Sequence, residues 1–309
     1  MTGRVLVCDP LFSLDNVREL LPDVAVEWAG RPLAGDDVVG LLTGPDNPIS
    51  PADLDRLPAL RVVSTCSVGF DHLPLEAAAR RGIWVCNVPD YCIEEMADST
   101  LALLLSLLRG VVVLDRNVRA GGWDWKAAGP IGRLASTRLG VIGFGRIGRA
   151  VGARAAALGM EVWAYDPLVP GEAIAQSGAR PASLDELLAS CTAFTLHVPL
   201  SPETAGLIGA VELARMPRSS WLVNTARAGL VDQDALLEAL ASGQLAGAAL
   251  DVLPVEPPTP ENPAPVAPTL VVTPHSAFYS PESDAAVYAR STLAVRTALG
   301  GTRPAESLT

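Results

Sequence analysis

Short apolar runs alternate with helically spaced apolar positions along most of this chain. Val5-Leu6-Val7, Val24-Ala25-Val26, Arg61-Val62-Val63 and Ile83-Trp84-Val85 read as strands, and Asp15–Leu21 and Pro74–Arg81 read as helices between them. Strands separated by helices in this rhythm predict a parallel α/β layer. A longer helical pattern, Ile93–Arg109, is expected to lead out of that layer. After the irregular stretch Gly121-Gly122-Trp123-Asp124-Trp125 the rhythm resumes with six further candidate strands: Val141-Ile142, Val162-Trp163, Phe194-Thr195-Leu196, Trp221-Leu222-Val223, Ala248-Ala249-Leu250 and Leu270-Val271-Val272. Six suits a doubly wound sheet. The helical spacing of Ala285–Leu299 is expected to return to the first layer. The expected fold class is therefore α/β with two doubly wound parallel-sheet domains, residues 99–283 being inserted into a discontinuous domain of residues 1–98 plus 284–309.

The segment Gly143-Phe144-Gly145-Arg146-Ile147-Gly148 carries Gly-x-Gly-x-x-Gly, which at 27 glycines in 309 residues arises by chance about 0.2 times in such a chain. Context adds what the glycines lack. The motif follows a strand-like run, opens the apolar helix Ile147–Leu158, and is followed by a strand ending in Asp166, 18 residues after Gly148. Gly143 allows the tight turn, Gly145 lets the backbone approach a pyrophosphate, and Gly148 lets helix and sheet pack closely. The helix N-terminus offers unpaired N–H groups to the anion. Asp166 would accept from ribose hydroxyls and repel the extra phosphate of NADP, and Pro167 and Leu168 supply no cation to offset it. The expected cofactor is NAD.

Three further strand ends carry polar residues suited to oxidoreduction of a small acid. Arg227, after Trp221–Val223, has a guanidinium fork that matches a carboxylate. His275, after Leu270–Val272, could exchange a proton with a carbonyl or hydroxyl oxygen. Between them, seven prolines in the fifteen residues Pro254–Pro268 exclude a helix or central strand. Glu256, near the start of that stiff segment, could accept from His275 and favour its charged form.

Composition narrows the class. The chain has room for two domains, with 49% hydrophobic residues and a net charge of −11 that includes one lysine, Lys126. That balance makes nucleic acid an unlikely partner. The five cysteines, at 8, 66, 86, 92 and 191, form no Cys-x-x-Cys pair, so neither a disulfide framework nor a zinc site is indicated and a reducing cytoplasm fits. The longest apolar stretch, Leu101–Leu114, is interrupted by Ser106, Arg109 and Gly110 and reads as a buried helix, with no membrane association expected.

Taken together, GFGRIG, Asn224–Asp232 (NTARAGLVD), Asp251–Pro258 (DVLPVEPP) and Thr273–Ala277 (TPHSA) resemble the D-specific 2-hydroxyacid dehydrogenases over essentially the whole chain. The resemblance implies a Rossmann NAD domain inserted in a flavodoxin-like substrate domain. It implies Arg227 as binder of the substrate carboxylate, His275 as acid/base, Glu256 as its partner, and Val68-Gly69 as backbone donors to a small 2-keto or 2-hydroxy acid. Cofactor contacts carry over to Thr100, Gly143, Gly145, Arg146, Ile147, Gly148, Asp166, His197, Pro199, Thr204, Thr225, Ala226, Arg227, Asp251, His275 and Ala277. Tyr91 and Phe278 are candidates for substrate recognition, and a homodimer through the NAD domains, with Trp123 and Trp125 in its arm, is expected. Glu-Glu-Met-Ala-Asp-Ser-Thr (94–100) and the segment from Pro274 to Ser280 are most similar to the C-terminal-binding-protein branch, whose animal members are corepressors. Phe278 stands where that branch typically has tryptophan, and Ala228 where glycine commonly follows the arginine. An NAD(H)-sensing binding protein with little turnover is therefore the alternative function.

Overall fold

The computed structural model describes residues 3–309 and divides into two units, one holding the chain up to Tyr91 together with Ser280–Thr309, the other Cys92–Tyr279. In the first unit β1 (Arg4–Val7), β2 (Ala25–Trp28), β3 (Val38–Thr43), β4 (Val62–Thr65) and β5 (Trp84–Cys86) form a parallel sheet in the order β2-β1-β3-β4-β5. This is the flavodoxin-like winding. Helices α1 (Leu14–Leu20), α2 (Pro51–Asp55) and α3 (Leu75–Arg80) lie between the strands in sequence. Both faces are buried. Val5, Val7 and Val62 enter one cluster with Val17 of α1, and Leu6 and Val63 enter the other with Leu54 of α2 and Ala78 of α3. Burial on both faces is why these strands read as continuous apolar runs rather than as an alternation.

Strand β3 was not among the sequence-predicted elements, although it lies between β1 and β4. Its apolar run is divided by Gly40 and preceded by Asp36-Asp37, which weakens the local strand signal.

The second unit opens with α4 (Ile93–Leu108) and α5 (Val111–Arg119). It continues through β6 (Arg138–Ile142), α6 (Arg146–Ala157), β7 (Glu161–Tyr165), α7 (Gly171–Gln176), β8 (Arg180–Pro181), α8 (Leu184–Ser190) and β9 (Ala193–Leu196). Then come α9 (Ala210–Arg215), β10 (Ser220–Asn224), α10 (Gln233–Ala241), β11 (Leu245–Leu250) and β12 (Leu270–Val272). All seven strands are parallel, in the order β12-β11-β10-β9-β6-β7-β8. The sequence predicted six of them. The seventh, β8, has two residues, too few for a periodic pattern.

Helix α4 buries Ala97, Leu101, Leu104 and Leu107 against α6 and the sheet. Each fully buried leucine contributes about 1.5–3 kcal/mol. Among the described residues, no single helix is long and apolar enough to cross a membrane.

The last helix, α11 (Pro281–Leu299), belongs to the first unit and packs on β3 and β4. It starts four residues before the apolar spacing does. Ser280 caps it reciprocally with Ser283, and Pro281 occupies the first turn, where its missing N–H costs nothing.

Candidate active site

Three adjacent strands, β10, β11 and β12, end at the same edge of the second sheet and deliver the candidate catalytic residues. After β10, Asn224 closes the loop on itself: its Oδ1 accepts from Ala226 N–H at 3.0 Å and its Nδ2 donates to Arg227 O at 2.8 Å. Arg227 Nη1 in turn donates to Ala226 O at 2.8 Å. The arginine is thereby presented at the strand end rather than left on a loose loop.

After β11 the chain runs through buried Asp251 to Glu256, whose Oε1 accepts from Leu253 N–H. After β12, His275 takes a left-handed backbone conformation, φ +50°, unusual for a residue with a side chain. Asp251 holds it there. Its backbone oxygen accepts from His275 N–H at 2.8 Å. Its carboxylate accepts from Ser276 N–H at 3.0 Å, Ala277 N–H at 2.8 Å and the Thr273 hydroxyl. The sequence resemblance places Asp251 and Ala277 at the cofactor. In the structure the pair also builds the turn that carries the histidine.

His275 Nδ1 lies 2.6 Å from Glu256 Oε2. The hydrogen bond to Glu256 raises the histidine above its ordinary value, with burial and the Arg227 charge working against it. For Glu256 burial opposes ionisation. The bonds from His275 and Leu253 N–H and the charges of His275 and Arg227 outweigh it, holding the carboxyl below its usual range. An ionised carboxylate only accepts, so Nδ1 carries its proton and Nε2 is the nitrogen available to a substrate. The Phe278 ring stands edge-on to His275, with centroids 6.3 Å apart.

On the same sheet, at the switch between β6 and β9, lies the glycine turn. Gly143 has φ +90°, and a methyl group there would lie 2.6 Å from the His197 carbonyl; at Gly148 it would lie 2.1 Å from Gly143 O. A methyl group at Gly145 would meet no protein atom within 4 Å, so this side of the turn is open. Arg146 and Ile147 then open α6, whose N-cap, Gly145, supplies no side-chain bond to the first-turn N–H groups. Asp166 ties the turn to β7, accepting from Phe144 N–H at 2.7 Å and Leu168 N–H at 2.8 Å. This cradle fits a dinucleotide: open where a pyrophosphate needs room, closed where helix meets sheet, and backed by a carboxylate.

The remaining expected cofactor contacts follow β9 and β10, apart from Thr100, which lies in α4. His197 follows β9, donates from its N–H to Ile142 O at 2.7 Å, and shares a 3.0 Å bond between Nε2 and Thr195 Oγ1. Burial pushes it down to about 3, so the ring is neutral at physiological pH. Thr204 Oγ1 donates to Pro199 O at 2.7 Å, and buried Thr100 and Thr225 bond to each other at 2.9 Å. Asn224, Thr195 and Thr273 were not singled out from the sequence. Asn224 and Thr273 lie inside the NTAR and TPHSA motifs, so position within a motif was the available signal.

Val68, Gly69 and Tyr91 belong to the first unit. Val68 O accepts from Asn87 Nδ2 at 2.6 Å and Gly69 O from Ser67 Oγ at 2.7 Å, so both carbonyls of this loop after β4 are anchored. Tyr91 packs against the cluster containing Val5, Phe12 and Val287.

A parallel sheet with a dinucleotide turn, and beside it an arginine and a glutamate-paired histidine, define an NAD-dependent oxidoreductase of the CH–OH class. Comparison with known proteins agrees. The profile of the D-isomer specific 2-hydroxyacid dehydrogenase NAD-binding domain matches residues 101–277. A glyoxylate reductase of Korarchaeum cryptofilum is 40% identical over 275 residues, 88% of this chain and 82% of that protein. A D-3-phosphoglycerate dehydrogenase of Archaeoglobus fulgidus is 41% identical over 224 residues, 72% of this chain but 42% of that protein. Among solved structures, the D-lactate dehydrogenase of Aquifex aeolicus, complexed with NAD and lactic acid, matches with a TM-score of 0.88 at 28% identity, covering 97% of this chain and 96% of that one. The chain belongs to the D-isomer specific 2-hydroxyacid dehydrogenase family.

Proposed function

We propose that the protein interconverts a small 2-keto acid and its D-2-hydroxy acid. The observation that carries this reading is the His275–Glu256 pair, which leaves Nε2 as the proton-exchanging atom at the sheet edge that also presents Arg227 and the dinucleotide turn. Arg227 binds the substrate carboxylate, assisted by the N–H groups of Val68 and Gly69, for which no intramolecular acceptor is seen among the described residues. Tyr91 and Phe278 are the proposed side-chain contacts. NAD, when bound, supplies or removes the hydride at substrate C2. In reduction His275 Nε2 gives its proton to the keto oxygen, and Glu256 stabilises the charged ring that precedes this step. In oxidation Nε2 takes the hydroxyl proton.

A homodimer through the second unit is part of the proposal. Helix α5 buries none of its residues within the chain, and Trp123 and Trp125 are 91% and 77% exposed. A reducing, cytoplasmic setting is part of the proposal, supported by the burial of Cys66, Cys86, Cys92 and Cys191.

The test is NADH oxidation at 340 nm with glyoxylate, hydroxypyruvate, pyruvate and phenylpyruvate, with His275→Ala as control. Turnover that the variant loses supports the reading. Tight NADH binding without turnover on any acid would instead favour an NAD(H)-sensing protein of the C-terminal-binding-protein type.

A further inference from the structure

A second anionic group on a substrate needs a cation, and the first unit has several that could serve. The structure shows what each of them does. Arg31 lies 3.6 Å from Asp53 and donates to Pro48 O. Arg61, at the opposite end of β4 from the Val68-Gly69 loop, donates to Leu299 O and Ala298 O. Arg80 lies 3.9 Å from Glu76, and Arg81 donates to Leu54 O and Leu57 O. Arg290 of α11 pairs with Asp90 at 2.7 Å and Glu306 at 3.4 Å, and His72 Nε2 shares a bond with Thr65 Oγ1. Arg31, Arg61, Arg81, Arg290 and His72 are each bonded to a carboxylate, carbonyl or hydroxyl of the same unit, and Arg80 and Glu76 form an exposed surface pair.

The edge of this sheet where ligands collect carries the opposite charge. Asp9 follows β1, Gly44 follows β3 and Cys66 follows β4. A methyl group at Gly44 would lie 1.8 Å from Asp9 Oδ2 and 3.2 Å from Cys66 Sγ, so the carboxylate occupies the space above that glycine. Tyr288 of α11 packs against the apolar cluster that holds Cys66, and Asp284, one turn before it, acts electrostatically on both. Burial, and after it neighbouring charges including Asp9 and Asp284, push the Cys66 thiol and the Tyr288 phenol up. Burial likewise raises Asp9, with exposed Asp46 adding to it, and raises Asp284. This corner directly precedes Ser67-Val68-Gly69 in the chain.

We infer that the substrate carries one anionic group only, the carboxylate beside the keto carbon, with hydrogen or an uncharged group in place of a phosphate or second carboxylate. Asp9 and Asp284 oppose a second anion, and Arg31, Arg61, Arg80, Arg81 and Arg290 are each paired within the unit. The inference rests on the dehydrogenase reading above and on Val68-Gly69 as a substrate contact. It separates this chain from the phosphoglycerate dehydrogenases, which it resembles as strongly as it does the glyoxylate reductases.

The experiment compares kcat/KM for hydroxypyruvate and for its 3-phosphate, and for glyoxylate and oxaloacetate, in the full chain with NADH. The expected result is at least about 100-fold preference for the singly charged acid of each pair. Asp284→Asn is expected to narrow that ratio by roughly threefold to tenfold. Comparable turnover of hydroxypyruvate and its phosphate would overturn the inference while leaving the dehydrogenase reading standing. A ratio unmoved in Asp284→Asn would remove selection from this corner. Absence of turnover on all four acids, with NADH still bound, would overturn the dehydrogenase reading and the inference with it.

Discussion

Asp251 reaches across from the end of β11 to accept the Ala277 N–H at 2.8 Å, two residues beyond the histidine it does not itself touch by side chain. With Ser276 N–H and the Thr273 hydroxyl on the other oxygen, this buried carboxylate satisfies three donors and fixes a left-handed residue that by itself costs about 1–3 kcal/mol. Asp251→Asn replaces one acceptor by a donor among donors. Urea unfolding should show a loss of about 2–3 kcal/mol, and kcat should fall with it as His275 loses its placement. A variant with unchanged stability and unchanged kcat would leave the carboxylate without this role.

Glu256→Gln keeps the shape of the partner and removes its charge. His275 is raised by Glu256 and must be protonated to reduce a keto acid, so wild-type reduction should decline as pH rises through a value above the ordinary 6.5. Without the carboxylate, burial and Arg227 remain, and both lower the histidine. The decline should therefore move to lower pH, with kcat at neutral pH down by about tenfold or more. The same limb position in both enzymes would show that Glu256 does not set the histidine.

Arg227→Ala removes the proposed carboxylate fork. A fall in kcat/KM of about 1,000-fold is expected, equivalent to about 4 kcal/mol, while NADH affinity measured by fluorescence changes far less. Near-normal kcat/KM would displace Arg227 from its assigned role.

At Gly148 a methyl group would sit 2.1 Å from Gly143 O, against backbone that cannot step aside. Gly148→Ala should weaken NADH binding at least about tenfold by pushing α6 off the turn. Titration calorimetry giving the wild-type affinity would show that the close approach is not needed.

Much of this was legible in the sequence because the signals were local. The glycine turn, Asp166 and the strand-ending motifs each declare themselves within a few residues, and both-face burial makes parallel strands visible as apolar runs. What stayed hidden depended on partners far along the chain. Strand β3 is interrupted by Gly40 and becomes a strand only through β1 and β4 on either side. The hold of Asp251 on the 273–277 turn joins segments more than twenty residues apart, and the motif alone gave Asp251 only a cofactor role. The directions of Arg31, Arg61 and Arg81 belong to side chains whose acceptors are set by tertiary packing.

The adjacency of β10, β11 and β12 separates two kinds of work. Arg227, Glu256 and His275 each follow a strand of one hydrogen-bonded ladder, and the His275–Glu256 bond is already made within that unit before any ligand arrives. Under the proposed roles, substitutions in the first unit would change which acid is taken without touching that bond. On that reading, substrate choice and proton transfer are separable by mutation, the one lying away from the ladder and the other at its end.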